Sequence, residues 1–447
     1  MLISSVELLP AAGISAEGRK AVVAFLEHMS ILGTVLLQFP GKTNAKQSED
    51  LNYLLSIIRS IPAMVDNLPL TEDTLVTQLL DEGLRVAFFE LDPETALFKD
   101  TLKTFPKSRV GLTVTDLAVV LDTIKEYEHI VGHFLVKFTD EDVLGGKAVE
   151  TVAAVVAQRA AGVRSQVYFH YPMGSLSLEE AVRVATLTED GIHAVTHPRI
   201  RTNSIDTPFM ASPLLPIALR DLLQFDFAEA FIGCLRTDRP DGMFATVVCD
   251  EMGVCLGLVY STAESIRAAF VEKRGIYWSR SRSSLWRKGD SSGMYQELLG
   301  MSYDCDRDAL RFSVVQNGTP PAFCHLMSRT CWGPEQGMQK LQSMLQDRKL
   351  SAPEGSYTKR LFCDSDLLRK KLLEEVQELM EAETPDHIAA EAADVTYFMM
   401  TRCVAAGVTL SDIEAHLDKR SLKISRRPGN AKTWRTAEAE KVLANTA

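Results

Sequence analysis

The residues with the clearest capacity for chemistry lie in the second half of the chain. Asp304, Asp306 and Asp308 alternate with other residues in the segment DCDRD, which also contains Cys305. Because alternate side chains of an extended strand share a face, we expect the three carboxylates to converge and Cys305 to point the other way. Converging carboxylates are costly without a counter-charge, and magnesium is a natural partner for them. A solvated acidic turn is the alternative.

Thiols form a second pattern, in which Cys324 and Cys331 follow the acidic segment after a Pro-Pro turn. Together with Cys305 they offer three thiolates to zinc, which leaves a fourth tetrahedral position open for water, as in catalytic zinc sites. His325 adjoins one of these cysteines. It is predicted to be a general base for the bound water or a group that orients a ligand, and a purely structural role is equally open.

Residues 273–293 form a basic segment in which Ser, Gly and Trp are interleaved with arginine and lysine. The overall charge of the protein is −11, so a local concentration of cations and accessible backbone N–H groups favours a site for a phosphorylated ligand. A solvated basic loop is the alternative.

The segments YWSRSR, LWRKG, SG, DCDxD and CH-x5-C together resemble the phosphoribosyl-AMP cyclohydrolase family of histidine biosynthesis, over about residues 235–333. The resemblance implies hydrolytic opening of the adenine ring of phosphoribosyl-AMP. It also implies zinc on the three cysteines, supplied by two subunits of a dimer, and magnesium on the three aspartates. Ser291 replaces a bulkier polar residue of the family, and we expect little effect from this. The predicted substrate contacts are Arg280, Arg282, Trp286, Lys288, Gly289, Ser292 and Gly293.

Five acids near residues 374–394 have the spacing of two acidic helix faces. Glu374, Glu375 and Glu378 are neighbours on one predicted helix, and Glu391 and Asp394 are three residues apart on the next. Antiparallel packing would bring the five carboxylates together, where like charges destabilise the helices unless a cation joins them. A solvated glutamate face is the alternative, although alanines surround the second pair.

The pattern EExxE…ExxD, preceded by PEGSYTKRLF and followed by KISRRPGNAK, resembles the phosphoribosyl-ATP pyrophosphohydrolase family, which is related to MazG-type pyrophosphatases. The resemblance covers about residues 340–435. It implies magnesium-dependent cleavage between the α and β phosphates, with Glu375 and Glu378 as catalytic groups and Lys371 and Arg426 as phosphate contacts.

The first 220 residues alternate apolar runs with helical patterns and indicate an α/β structure with some parallel pairing. This region has no glycine-rich phosphate loop and no catalytic spacing, and His170, His193 and His197 are interpreted as structural. Predicted strands cover residues 31–39, 84–91, 109–114, 132–138 and 165–171, and predicted helices cover 48–60, 147–162 and 213–224.

The sequence thus predicts a multidomain protein. An N-terminal α/β domain covers 1–224, a β-rich α+β cyclohydrolase domain 225–338, an all-α MazG-like pyrophosphohydrolase domain 339–435, and a tail 436–447. The two activities are successive steps on one metabolite, in the order found in the N-terminal part of the fungal trifunctional histidine-biosynthesis family. The histidinol dehydrogenase domain of that family has no counterpart in these 447 residues.

Composition restricts the remaining possibilities. The pI of about 5.4 disfavours nucleic-acid and membrane-surface partners, and we expect a cytoplasmic homodimer. The expected substrates are phosphoribosyl-ATP and phosphoribosyl-AMP, and the expected cofactors are zinc and magnesium. Two alternatives stay open, a zinc-stabilised scaffold and a general MazG-type nucleotide pyrophosphatase.

Overall fold

The computed structural model describes residues 2–7, 16–38, 48–68, 70, 73–91, 98–160, 162–172, 174–187, 191–196 and 226–425. The chain divides into two compact units. The first runs to Cys234 and includes the residues from Lys419 onwards, and the second runs from Leu235 to Asp418. Within the described residues, no helix is long and apolar enough to cross a membrane.

The first unit contains a closed barrel of eight parallel strands in sequence order, in which the first strand also pairs with the last. The strands are β1 Leu2–Glu7, β2 Val35–Gln38, β3 Ala63–Asp66, β4 Val86–Glu90, β5 Val110–Val114, β6 His133–Lys137, β7 Gln166–His170 and β8 Ile192–Thr196. Helices connect successive strands, as parallel pairing requires. They are α1 Ala16–Met29, α2 Ser48–Ser60, α3 Asp73–Asp81, α4 Phe98–Leu102, α5 Val120–Tyr127, α6 Asp140–Leu144, α7 Lys147–Ala160 and α8 Leu178–Ala185.

The predicted α/β character and parallel pairing are confirmed, and each of the five predicted strands contains an observed one. The predicted helix over 48–60 is confirmed, and that over 147–162 ends at Ala160. His197 and the predicted helix at 213–224 lie outside the described residues.

Side chains that alternate along the strands fill the barrel interior with a buried apolar cluster. Its members are Ile3, Leu36, Met64, Val86, Phe88, Leu135, Tyr168 and Val195. At the corresponding position of β5 the residue is Gly111, which leaves room for the Phe88 ring. A Cβ at Gly111 would lie only 2.5 Å from that ring. The interior is therefore a packed core and not a pore.

Histidines near the amino ends of the strands are held by neighbouring side chains. His193 Nε2 lies 2.8 Å from Gln166 Oε1, and its ring stacks on Tyr168. His133 contacts the Tyr168 hydroxyl at 3.1 Å. These contacts agree with a structural role for His193.

Burial lowers the pKa of His193 to about 3, so we expect the barrel to lose stability in acid. An unfolded histidine titrates near 6.5, so the unfolded state binds the proton first. The free energy of unfolding should be unaffected above about pH 6.5. Below it, the free energy should fall by up to about 1.4 kcal/mol per pH unit until about pH 3. Hydrogen exchange of β7 and β8 should show this slope in the native protein, a shallower one in His193→Gln, and the native slope in exposed His129→Gln. Equal slopes in native protein and His193→Gln would contradict the assignment.

A short helix, α9 Phe227–Gly233, ends the first unit, and a β-rich region opens the second. Its strands are β9 Phe244–Cys249, β10 Cys255–Ser261, β11 Ile276–Ser279, β12 Ser284–Arg287, β13 Gln296–Tyr303 and β14 Ala309–Gln316. Four of them form a sheet in the order β10-β9-β14-β13, and β11 and β12 form a separate hairpin. Helix α10, Ala263–Glu272, follows β10 and is capped by the Thr262 side chain.

The rest of the second unit is helical. Its helices are α11 Gly337–Ser351, α12 Tyr357–Cys363, α13 Ser365–Glu381, α14 Pro385–Ala405 and α15 Leu410–Ser421. The Asp364 side chain caps α13 by accepting from the Leu367 N–H, and Gly407 follows α14 with a φ of 76°. Leu345, Met400, Val404 and Leu410 form the buried cluster that joins α11, α14 and α15. The two helices predicted to carry the five acids are therefore present, as α13 and α14.

Candidate active sites

The acidic segment DCDRD forms the loop that joins β13 to β14, so the prediction that it is an extended strand is wrong. Strand pairing ends at Tyr303 and Leu310. Beyond that pair, Asp304 Oδ1 accepts the N–H groups of Asp308 and Ala309, each at 3.1 Å. These local hydrogen bonds compete with the strand ladder and fold the segment into a turn.

The turn nevertheless brings the three aspartates together. A carboxylate oxygen from each of Asp304, Asp306 and Asp308 lies within 4.8 Å of the others, and all three residues are exposed. Repulsion from Asp306, and then loss of water contact and repulsion from Asp304, raises the pKa of Asp308. A cation would remove this repulsion, so the donor set fits magnesium.

Two of the three predicted zinc ligands interact directly. Cys331 is exposed, but reduced contact with water around its sulfur, followed by a hydrogen bond with the Cys324 thiol, raises the pKa of Cys331 to about 11. Hydrogen bonds from the Leu326 backbone and the Ser328 side chain lower the pKa of Cys324. The thiols of Cys324 and Cys331 therefore lie within hydrogen-bonding distance of each other.

The third thiol, that of Cys305, is exposed on the acidic loop. Among the described residues, the sulfurs of Cys305, Cys324 and Cys331 do not form a group in which all three lie within 4.8 Å of one another. Within one chain, the predicted zinc ligands therefore form two separate parts: the pair Cys324 and Cys331, and Cys305 on the acidic loop. The donor chemistry, three thiols with an open position, fits zinc. His325 is exposed, and its Nδ1 lies 3.9 Å from Cys324 Sγ.

Some cations of the basic segment 273–293 form ion pairs within the protein, and others are exposed and have no ion-pair partner among the described residues. Arg287 pairs with Glu272 at 2.7 Å, and Arg274 pairs with Asp290 at 2.8 Å. The guanidinium of Arg280 lies 4.0 Å from the centre of the Tyr260 ring, and Arg282 donates to Ser279 Oγ at 3.2 Å. These last two arginines are exposed.

Lys288 is the cation nearest the thiols. It is 6% exposed, and burial lowers its pKa, while the Cys331 and Cys324 thiols act in the opposite direction. The next residue, Gly289, has a φ of 95°, and a Cβ there would lie 2.3 Å from the Tyr295 backbone nitrogen. Glycine is thus required in the turn that carries Lys288. Trp286 is half-buried on β12, and Ser292 and Gly293 lie in the exposed turn that follows.

Sequence reasoning missed one residue beside the thiols. The Trp332 indole Nε1 donates to Cys255 Sγ at 3.1 Å, and Cys255 is close enough to Cys331 to raise its pKa slightly. The sequence offered only a weak signal, since Cys255 lies outside the motifs. Its position on β10 is what brings it to Cys331.

In the helical domain, α13 and α14 bring three of the five predicted acids together. Carboxylate oxygens of Glu375, Glu378 and Glu391 lie within 4.8 Å of one another. Reduced contact with water, followed by repulsion from Glu375 and Glu391, raises the pKa of Glu378. Glu374 and Asp394 are exposed and do not belong to this group of mutually close ligand atoms.

Two further observations fit a cation at the glutamates. Glu391 Oε2 is buried and has no hydrogen-bond partner among the described residues, although Oε1 lies 3.2 Å from His387 Nε2. An unpaired buried oxygen is costly, and a magnesium ion would satisfy it. Lys371 contacts Glu374 at 2.8 Å and Glu375 at 3.1 Å, so it now balances part of the charge. Arg426 lies outside the described residues.

Comparison with known proteins separates the same two regions. Residues 257–333 match the phosphoribosyl-AMP cyclohydrolase family, and residues 338–421 match the phosphoribosyl-ATP pyrophosphohydrolase family. Both families are hydrolases, and their boundaries coincide with most of the β-rich region and with the helices. By fold and by family match, the chain therefore contains two domains of the hydrolase class.

Relatives that match both of these regions together show which family the chain belongs to. The histidine biosynthesis bifunctional protein HisIE of Bacillus subtilis is 35% identical over 201 residues, which cover 42% of this chain and 95% of that protein. The chain therefore belongs to the family of bifunctional cyclohydrolase–pyrophosphohydrolase proteins of histidine biosynthesis.

Fungal relatives share more of the chain. The histidine biosynthesis trifunctional protein of Neurospora crassa is 43% identical over 294 residues, 66% of this chain and 32% of that protein. The histidine biosynthesis bifunctional protein of Schizosaccharomyces pombe is 44% identical over 242 residues, 54% of this chain and 57% of that protein. The chain thus spans about a third of the trifunctional protein and more than half of the bifunctional one.

Proposed function

We propose that the helical domain cleaves phosphoribosyl-ATP to phosphoribosyl-AMP and pyrophosphate, and that the β-rich domain then opens the adenine ring of phosphoribosyl-AMP by hydrolysis. The observation that carries this proposal is the presence, in one chain, of both matched domains, each with a cluster of side chains suited to hydrolysis. The product of the first reaction is the substrate of the second.

The chain's own residues have defined parts in this proposal. Glu375, Glu378 and Glu391 would hold magnesium, and Cys305, Cys324 and Cys331 would hold zinc. The aspartates of the acidic loop would hold a further magnesium ion. When bound, these ions supply charge neutralisation for the phosphates and a water of lowered pKa. His325 is placed beside Cys324 to accept a proton, and Lys288, Arg280 and Arg282 are placed to attract the substrate phosphate.

Two alternatives predict different measurements. A zinc-stabilised scaffold would bind metal without turnover, and a general nucleotide pyrophosphatase would hydrolyse several nucleoside triphosphates but leave the adenine ring closed. The test is an assay of the purified protein with phosphoribosyl-ATP and with ATP, combined with elemental analysis. Pyrophosphate release followed by ring opening, selective for the phosphoribosylated substrate, is the expected result. ATP turnover without ring opening would contradict the proposal.

We further propose a cytoplasmic homodimer. Support for the dimer comes from the exposed Cys305, which a second subunit would complete, and from apolar side chains left exposed on α13. Leu373 is 62% exposed and Met380 is 66% exposed. For the compartment, the support is that all eight cysteines are free thiols.

Mixing two inactive variants tests the shared zinc site. Cys305→Ala and Cys324→Ala would damage opposite halves of it, so mixed dimers should regain one working site of two. Subunit exchange is followed by native mass spectrometry with isotope-labelled protein, and ring opening is measured on the mixture. About half of the dimers should be mixed, and each mixed dimer should have one working site of two. Activity near a quarter of the native value is therefore expected. Complete exchange without recovered activity would show that each chain builds its own site.

A further inference from the structure

The barrel interior changes from apolar to polar at the carboxyl ends of its strands. The apolar cluster includes Ile3, Leu36, Met64, Leu135 and Tyr168. Two residues beyond each of these five, on the same face of its strand, the side chain is polar. With the corresponding position on β5, this ring consists of Ser5, Gln38, Asp66, Thr113, Lys137 and His170. In barrels of this type, ligands bind at this end of the strands.

Contacts across the interior show that the ring is assembled from distant strands. Asp66 on β3 is completely buried, and its Oδ2 lies 2.5 Å from Lys137 Nζ on β6. The Thr113 hydroxyl on β5 donates to Asp66 Oδ1 at 2.6 Å. None of these partners is on a strand adjacent to β3, so all three side chains point into the barrel.

A structural role alone does not account for this arrangement. Apolar side chains of similar volume commonly replace a buried ion pair without loss of stability, and they are the usual filling of such barrels. The Lys137 side chain is 21% exposed, whereas that of Asp66 is completely buried. The Lys137 ammonium has three N–H groups, and the described residues provide one partner, Asp66.

Ser5 gives an independent sign of a missing ligand. It is completely buried on β1, and its hydroxyl has no hydrogen-bond partner among the described residues. Buried hydroxyls are normally paired, so an unpaired one on the face that carries the polar ring is a candidate contact for a bound molecule. At the other end of the barrel, His193 Nε2 and His133 Nδ1 have partners, Gln166 and Tyr168, and His193 Nδ1 has none among the described residues.

The charge of the ring indicates what it binds. Asp66 and Lys137 neutralise each other, Ser5, Thr113 and Gln38 are uncharged, and Glu90 stands exposed at the same level on β4. The ring has no excess positive charge for a phosphate, but it offers hydroxyl and ammonium groups that exchange hydrogen bonds with hydroxyl-rich molecules. We propose that the mouth of the barrel binds a small, uncharged molecule of the sugar class, with Lys137 and Ser5 as direct contacts.

The test uses the full chain with D-ribose, D-glucose and D-ribose 5-phosphate as probes at millimolar concentrations. Hydrogen exchange should show protection of the strand ends that carry Asp66, Thr113 and Lys137 with at least one uncharged sugar. Lys137→Met should weaken that binding at least tenfold, whereas Lys125→Met, the same change on the exposed side of α5, should not. Ser5→Ala should also weaken binding while leaving the melting temperature unchanged or higher, so a folding defect in Lys137→Met would not obscure the result.

Three outcomes would overturn the proposal. One is protection of the mouth by none of the probes. Another is protection by D-ribose 5-phosphate alone, which would assign the site to phosphorylated ligands. The third is sugar binding that both Lys137→Met and Ser5→Ala leave unchanged.

Discussion

Replacing Cys324 with alanine should abolish ring opening of phosphoribosyl-AMP while pyrophosphate release from phosphoribosyl-ATP continues. Cys324 has a lowered pKa and lies against Cys331, so its loss removes the thiol that most readily becomes a ligand. Partners that merely orient a metal ligand account for about 10- to 100-fold in affinity or activity, and a direct ligand should exceed that. The measurement is a pair of steady-state assays, one for each substrate, with zinc content determined in parallel.

Cys363→Ala is the matched control, because Cys363 is an exposed thiol at the end of α12, away from both clusters. It should keep both activities and the native zinc content. Loss of both activities in Cys324→Ala, in a protein whose circular dichroism is native, would contradict two independent sites.

Glu375→Gln should have the converse effect, with pyrophosphate release lost and ring opening retained. The substitution removes one negative charge from a 6% exposed side chain with little change of shape. The remaining pair, Glu378 and Glu391, should bind magnesium more weakly, since affinity follows the number of charged ligands. We expect activity at least about 100-fold lower at fixed magnesium, with partial recovery as magnesium is raised.

Glu381→Gln, on the exposed end of the same helix, provides the control and should leave the magnesium dependence unchanged. If Glu375→Gln showed the native magnesium dependence, the glutamates would not be the metal site. The structure further predicts that Asp394→Asn has a smaller effect than Glu375→Gln, because Asp394 lies outside the group of mutually close carboxylates.

The sequence predicted the type of each domain because the patterns involved are local. The spacing of the acids identified α13 and α14, and apolar runs identified five barrel strands. The three strands that were missed carry weak signals. β3 has four residues, β1 opens the chain with two serines, and β8 contains a buried histidine. Closure of the barrel depends on pairing between β1 and β8, which are almost the whole domain apart in sequence.

The same distinction between local and distant contacts explains the sites. The sequence predicted that Asp304, Asp306 and Asp308 converge on one face of an extended strand. They do converge, but in a tight turn, which also brings alternate residues together. The approach of Lys288 to the thiols and the meeting of Asp66 with Lys137 join residues 36 or more positions apart. No spacing rule within a single helix or strand predicts such contacts.

We propose that one chain carries two sites acting in sequence, and analysis of the products of phosphoribosyl-ATP turnover distinguishes them. With Cys324→Ala, pyrophosphate and phosphoribosyl-AMP should accumulate in equal amounts. Addition of Glu375→Gln protein, inactive alone on phosphoribosyl-ATP, should then convert the accumulated phosphoribosyl-AMP to the ring-opened product. If phosphoribosyl-AMP never accumulates, or if the second variant fails to consume it, the two activities do not reside in the two separate sites described.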